Sequence, residues 1–321
     1  MRGMYKVVIS NNKLHYEFEI KRNITVIQGD SATGKTTLIN MIRQENNLGS
    51  SSGVTIVCPV PCVVVEGRNW NVLLQTISNS IVFIDEGSSF IKTEEFASAI
   101  RNSSNYYVLI TRENLYNLPY SVEEIYGIHT SGKYHDTRKV YQQMYQIYTL
   151  TEKLPIKSEV ILLEDSNSGF EFFDDVCKKS GKVCVSAGGK SNIKKILLEL
   201  MGKRVCVVAD GAAIGAEMKD LSQLASQNRT INLYLPESFE WLILDSGIIG
   251  DNEIRHILDC PEEYVESDQF FSWERYFTSL LVEKTEDTYL NYRKAKLNKN
   301  YLNDRIRDSI VKSIRGIDFE S

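Results

Sequence analysis

Apolar residues occur along this chain in short runs, many ending at a glycine, an asparagine or an acid, and helical-period stretches separate them. Residues 5–10 and 14–20 alternate apolar and polar positions, which predicts two strands turning at Asn11-Asn12. Ile24–Gln28 is a third short strand, and a helical run through Leu38, Ile39 and Ile42 begins soon after it. Ile81–Ile84 is apolar without interruption, the pattern of a strand buried on both faces, and it ends in Asp85-Glu86. A helix near 93–102 precedes another apolar strand, Tyr106–Ile110, which ends in Thr111-Arg112.

The second half repeats a strand–helix unit. Val160–Leu163 ends in Glu164-Asp165 and leads into a helix over 168–179. Lys182–Ser186 ends in Ala187-Gly188-Gly189-Lys190 before a helix over 192–202. Arg204–Ala209 ends in Asp210-Gly211 before a helix over 216–227, and Thr230–Leu235 is a fourth strand. Short strands joined by helices specify a parallel sheet with its loops gathered at one edge. The polar connection at 147–158 carries one proline and marks a boundary. The chain is therefore read as α/β throughout: residues 1–150 with a parallel sheet, a second α/β domain over 156–250, and a helical C-terminal segment over 251–321.

Composition narrows the class. With 321 residues, 42% hydrophobic and 25% charged, the chain can build two soluble cores. No apolar run approaches the roughly 20 residues that cross a bilayer. The start turns polar within about ten residues and has no signal-peptide core. A cytoplasmic protein with no membrane association is expected. The six cysteines are scattered: Cys184 and Cys206 lie in apolar runs, and Cys58 and Cys62 have no second pair to complete a zinc site. Buried, reduced thiols are the expectation.

A net charge of −5 excludes a general polycation for nucleic acid. Charge is uneven, however. Residues 251–290 hold eleven Asp/Glu against three Lys/Arg, whereas 291–321 hold eight Lys/Arg against four Asp/Glu. The basic tail (Arg293, Lys294, Lys296, Lys299, Arg305, Arg307, Lys312, Arg315) reads as helix. It is either a solvated face or a surface for phosphate or an acidic partner.

Between the third strand and its helix stands Gly29-Asp30-Ser31-Ala32-Thr33-Gly34-Lys35-Thr36-Thr37, with the spacing and context of a P-loop. Gly29 and Gly34 allow the backbone to wrap a phosphate with its amides turned inward, and the new helix adds its positive end. In that reading Lys35 meets the β/γ-phosphates of ATP and the Thr36 hydroxyl is a ligand of Mg²⁺. Asp85 holds Mg²⁺ through water, and Glu86 positions or deprotonates the attacking water. Thr111 senses the γ-phosphate. Arg112 reaches the phosphates of its own or a neighbouring chain, or forms a surface salt bridge. Tyr5 or Tyr16 stacks on adenine or packs in the core.

The opening strands, the P-loop and the Asp-Glu strand resemble ATPases of the ABC type. Only about fifty residues separate Lys35 from Asp85, and no Leu-Ser-Gly-Gly signature precedes Asp85. Residues 158–245 resemble the Toprim domain of topoisomerases, primases and nucleases of the overcoming-lysogenization-defect (OLD) family. The likeness rests on Glu164, Asp210, Gly215, the Gly-Gly-Lys at 188–190 and Glu237-Ser238-Phe239-Glu240-Trp241. The second Asp of the family's Asp-x-Asp is Ala212 here, and the acid often found four residues after the first Glu is Ser168. An ATPase followed by a Toprim-like domain is the OLD-family order. It implies an ATP-regulated enzyme that acts on nucleic acid in defence against phages or mobile elements, with Glu164 and Asp210 as metal ligands. Nucleic acid would meet the Toprim-like domain and the basic tail. A homo-oligomer and a partner protein are further expectations. A non-catalytic Toprim-like module and a small-molecule kinase are the alternative readings.

Overall fold

The computed structural model describes residues 1–29, 34–131, 139–149 and 157–319. The chain forms two compact units, Met1–Thr149 with Cys260–Ser272, and Leu150–Asp259 with Trp273–Ser321. The architecture is mixed α/β, and no helix among the described residues is long and apolar enough to cross a membrane. All six cysteines are free. Much of the connection expected at 147–158 lies outside the described residues.

The first unit contains β1 (Tyr5–Ser10), β2 (Leu14–Ile20), β3 (Ile24–Ile27), α1 (Lys35–Leu48), β4 (Thr55–Val57) and β5 (Cys62–Val64). Then follow α2 (Trp70–Thr76), β6 (Ile81–Ile84), α3 (Glu94–Ile100), β7 (Tyr106–Ile110), β8 (Ile125–Thr130) and β9 (Val140–Gln146). The strands form one sheet in the order β4-β1-β2-β9-β8-β3-β7-β6-β5. Four residues, 58–61, join the two edge strands β4 and β5. Nine strands laid flat would separate those edges by about 38 Å, yet such a linker reaches about 18 Å at most. The sheet must therefore curl. It curls around α1, whose Leu38, Ile39, Met41 and Ile42 share one core with Ile9, Tyr16, Phe18, Phe83 and Val108.

A parallel sheet was expected here, and the sheet is mixed. The β1–β2, β1–β4 and β8–β9 pairs are antiparallel, while β3, β5, β6, β7 and β8 run parallel. The β1–β2 turn explains its own pairing: the Asn11 carboxamide accepts the N–H groups of Lys13 and Leu14 at 2.8 and 2.7 Å, closing a tight reversal.

Residues 260–272, expected within a C-terminal helical segment, belong to this first unit. The buried Asn23 side chain donates to the carbonyls of Ser267 (3.0 Å) and Phe270 (2.9 Å). Gly3 N–H donates to Glu262, and Ser267 N–H to Met1.

The second unit contains β10 (Val160–Leu163), α4 (Ser168–Lys179), β11 (Val183–Ser186), α5 (Ile193–Glu199), β12 (Val205–Val208), α6 (Met218–Gln227) and β13 (Ile231–Tyr234). The strands are parallel, in the order β11-β10-β12-β13. Four helices follow: α7 (Phe239–Asp245), α8 (Asn252–Asp259), α9 (Trp273–Thr285) and α10 (Asp304–Ser313). α8, α9 and α10 pack on α7, so 273–319 completes this unit. The basic tail is not one helix. Asparagine side chains between Tyr289 and Asn300 bond the backbone instead, as Asn298 does to the carbonyls of Tyr289 and Asn291, and α-helix resumes only at Asp304.

Asn23 gives a test of how 260–272 is held. Asn23→Ala leaves two carbonyls without their buried donor, at a cost of about 1–3 kcal/mol. A lowered urea midpoint is expected, with proteolysis at 260–272 as the accompanying sign of release.

Candidate functional site

In the first unit three strand ends meet the start of α1. The sheet order sets β7 between the glycine-loop strand β3 and the acidic strand β6. Thr111 and Arg112 therefore emerge between the loop and Asp85-Glu86. Ligands of open α/β sheets bind at these carboxyl ends.

Gly29 and Gly34 have φ of 124° and 91°, backbone that side chains rarely adopt. A Cβ on Gly34 would also lie 2.9 Å from the Tyr16 hydroxyl. That hydroxyl donates to the Gly34 carbonyl at 2.9 Å, and burial pushes its pKa up to about 12. Tyr16 thus clamps the loop's exit. Tyr5 packs edge-on against Tyr106, and its hydroxyl donates to the Arg2 carbonyl. Both tyrosines are structural, so the adenine-stacking expectation is not met by either.

α1 starts without a side-chain cap and without an acid in its first turn. A helix start of this kind presents N–H groups and a positive dipole end, which favour an anion. Lys35 is buried, and its Nζ donates to the Gly29 carbonyl at 2.8 Å. Thr36 and Thr37 are exposed at the helix start. Asp30, Ser31, Ala32 and Thr33 lie outside the described residues.

Asp85 is half-buried and accepts the Glu86 N–H at 2.8 Å. Glu86 and Arg112 form a forked pair, with Nε and Nη2 each 3.0 Å from a carboxylate oxygen. The in-chain salt bridge is thus the arrangement that Arg112 adopts. Thr111 is buried, and its hydroxyl closes a local turn with the backbone of Glu113. An uncapped helix end, a lysine and an exposed threonine hydroxyl are a donor set suited to a phosphate chain and Mg²⁺.

The second unit brings together residues far apart in sequence. Its strand order reverses between β10 and β12, and Glu164 and Asp210 stand just past those two strands, at the switch point. Glu164 accepts the Asp210 N–H at 3.1 Å. A Cβ on Gly211 would lie 2.5 Å from the Leu235 carbonyl, so glycine lets this strand end approach its neighbour. Around the two acids lie Asp165, Glu240 of α7, Glu274 of α9, and Lys294. Lys294 Nζ bonds Glu274 and lies 3.8 Å from Glu240. Tyr292 donates to Glu240 at 2.7 Å, and its hydroxyl meets that of Ser168 at 2.6 Å. The cleft encloses about 30 Å³, room for a water or two rather than a nucleotide.

Burial drives the titration of these acids. It pushes Glu164 up to about 7, and raises Asp210 well above the usual carboxylate range with help from Glu274, Glu164 and Glu240. Burial also opposes the Lys294 charge, but Glu240, Glu274 and Asp210 overcome it and raise the ammonium's pKa.

Glu164 and Asp210, the expected metal ligands, have no third ligand beside them in the arrangement described. Among the described residues no three His, Cys, Asp or Glu side chains converge for a metal ion. Ser168 is bonded to Tyr292, and Ala212 is buried with its N–H on the Glu237 carbonyl. The basic tail is also partly used internally: Lys294 serves the acid cluster, and Arg307 pairs with Asp304 and Asp308. Sequence reading missed Glu274 and Lys294, which lie on α9 and in an irregular loop with no motif. Glu240 was visible only inside Glu237-Ser238-Phe239-Glu240-Trp241.

No protein-family model matches the chain, and no curated protein matches it significantly. The P-loop and Toprim likenesses therefore rest on the residues and geometry above.

Glu164 sets a pH dependence with a definite sign. An unfolded glutamate titrates near 4.5, and the folded one near 7. The folded state thus holds the proton longer, and stability falls as pH rises through that window. Urea unfolding at pH 5 and pH 7.5 should show this loss in the second unit. Glu164→Gln, which can still accept the Asp210 N–H, should flatten it.

Proposed function

We propose that the first unit binds and hydrolyses ATP with Mg²⁺. The observation that carries this is the start of α1, acid-free and without a side-chain cap among the described residues, next to two positive-φ glycines, with Lys35 Nζ on the Gly29 carbonyl. Lys35 and the amides at the helix start hold the β- and γ-phosphates. Thr36 and Asp85 are the residues to hold Mg²⁺, which neutralises charge developing on the phosphates. Glu86 orients or deprotonates the attacking water. Thr111 and Arg112 lie on the strand end beside it. The tandem Asp85-Glu86 favours hydrolysis over the small-molecule kinase alternative, because a kinase must exclude an activated water.

For the second unit the geometry best supports a non-catalytic, Toprim-like regulatory or oligomerisation module. Ser168 and Ala212 occupy positions where the family's chemistry needs carboxylates, and the cleft is too small for a nucleotide. A second reading, a nucleic-acid-acting enzyme of defence, draws on Glu164 and Asp210 at the switch point. Mn²⁺-dependent cleavage of single- or double-stranded DNA or RNA by the full chain, lost in Asp210→Ala, would establish it instead.

Lys35→Ala removes the fixed charge on the transferring phosphoryl group and should lower ATP turnover at least about 100-fold. Unchanged turnover overturns the assignment. Glu86→Gln should slow hydrolysis about 100- to 10,000-fold, the range for lost general-base help, while ATP affinity is kept. An equilibrium binding assay separates the two: ATP affinity lost together with turnover moves Glu86 from catalysis to support of the site.

A further inference from the structure

We propose that Lys294 is the built-in cation of the second unit's acidic cluster, taking the place of a divalent metal ion. This inference concerns the second unit alone and does not depend on the ATPase reading.

Four carboxylates, Glu164, Asp210, Glu240 and Glu274, act on one another across the switch point, and Asp165 lies beside them. A cluster of this kind persists in a folded core only if protons, a metal ion or an internal cation balance it. Lys190 acts on Glu164 from the edge of the cluster, and Lys294 reaches the other acids from outside the sheet. Its Nζ bonds Glu274 and approaches Glu240 at 3.8 Å, and its charge acts on Asp165 and Asp210 as well. Glu240 is 1% exposed, and its Oε2 has no hydrogen-bond partner, so the lysine and Tyr292 serve only its other oxygen.

The backbone fixes the lysine in this position. The Lys294 carbonyl accepts the Ser168 N–H at 3.1 Å at the start of α4. On one side Tyr292 N–H donates to the Thr285 hydroxyl at 3.0 Å, and on the other Leu297 N–H donates to Glu171 at 3.0 Å. Ser168 thereby has a part of its own. Its amide holds the lysine's carbonyl, and its hydroxyl holds Tyr292 against Glu240. An acid at position 168 would add charge beside Glu240 and break that bond. Serine at 168 and lysine at 294 are complementary choices: one fewer carboxylate and one covalently held positive charge.

The ammonium also excludes a competitor. A metal ion drawn to Glu240 and Glu274 would meet a like charge at close range, and the resulting repulsion opposes binding. With Lys294 in place no three ligating side chains converge on a metal ion among the described residues, and the ammonium holds the Glu274 and Glu240 oxygens for which a cation would compete.

The test is Mn²⁺ binding to the full chain without nucleotide, read by the paramagnetic resonance of free Mn²⁺. Every protein carries Thr36→Ala and Asp85→Asn, which remove the residues assigned to the first unit's metal. The parent should show no site that Glu164→Ala removes. Lys294→Met should gain Mn²⁺ affinity of about tenfold or more, as expected for loss of a competing charge. Glu274→Gln in that background should remove the gain. Lys294→Arg keeps a cation and should remain blind to Mn²⁺. Parent binding abolished by Glu164→Ala overturns the proposal, and so does a Lys294→Met protein that folds and binds no better than the parent. If Lys294→Met does not fold, the parent titration and Lys294→Arg still decide. Glu164-dependent Mn²⁺ binding by the parent, without nucleic-acid cleavage, would overturn the lysine proposal and leave the non-catalytic reading standing.

Discussion

A linker of four residues between the two edges of a nine-stranded sheet constrains the whole first unit. Once residues 58–61 fix that separation, the sheet cannot lie flat, and its concave face needs a filling. α1 supplies it, with Leu38, Ile39 and Ile42 fully buried. Burial of α1 then decides where its N-terminus points, since β3 feeds it through a short loop whose exit Tyr16 clamps. The uncapped helix end, the acidic end of β6 and the Thr111-Arg112 end of β7 share one sheet edge as a consequence. The placing of the proposed phosphate site thus depends on sheet curvature as much as on the two glycines.

The elements that the sequence made legible share a simple signal. β3, β6, β7, β10 and β12 are apolar on both faces, and all four residues of β3, β6, β10 and β12 are buried. Such strands are visible without knowing their partners. β9, with the sequence VYQQMYQ, has no buried residue and exists only because β2 and β8 pair with it. β4 and β5, three residues each, are likewise made by their neighbours. The mixed character of the sheet was hidden for the same reason, because strand direction depends on these partner-made strands.

The two sites were legible to different degrees for an electrostatic reason. A phosphate cradle is built from one continuous segment, since backbone amides and a helix end do most of the binding. Gly29–Thr37 therefore carries its chemistry in its spacing. The carboxylate cluster is assembled from β10, β12, α7, α9 and the loop at 294, across more than a hundred residues. Its two strand-end acids were readable from position. The lysine that balances them was counted in a basic tail, where composition suggested a surface. Composition reports how many charges a segment has. Whether each charge faces water or another charge is set by packing, and Lys294 and Arg307 are both answered within the protein.

The path of the chain joins these two arguments. Residues 260–272 leave the second unit, are held in the first, and return to the second at Trp273. Their anchor is Asn23, the residue just before β3, the strand that delivers the glycine loop. The residue after Trp273 is Glu274, the acid that holds Lys294. A side chain that is buried and doubly bonded, as Asn23 is, holds its segment more firmly than a solvated contact does, because its alternatives leave carbonyls unpaired. This gives the insertion of 260–272 a physical meaning that its mixed, turn-rich sequence does not disclose. The segment belongs to the packing of the first unit although its neighbours in sequence on both sides belong to the second, and the Asn23 bonds are what tie it there.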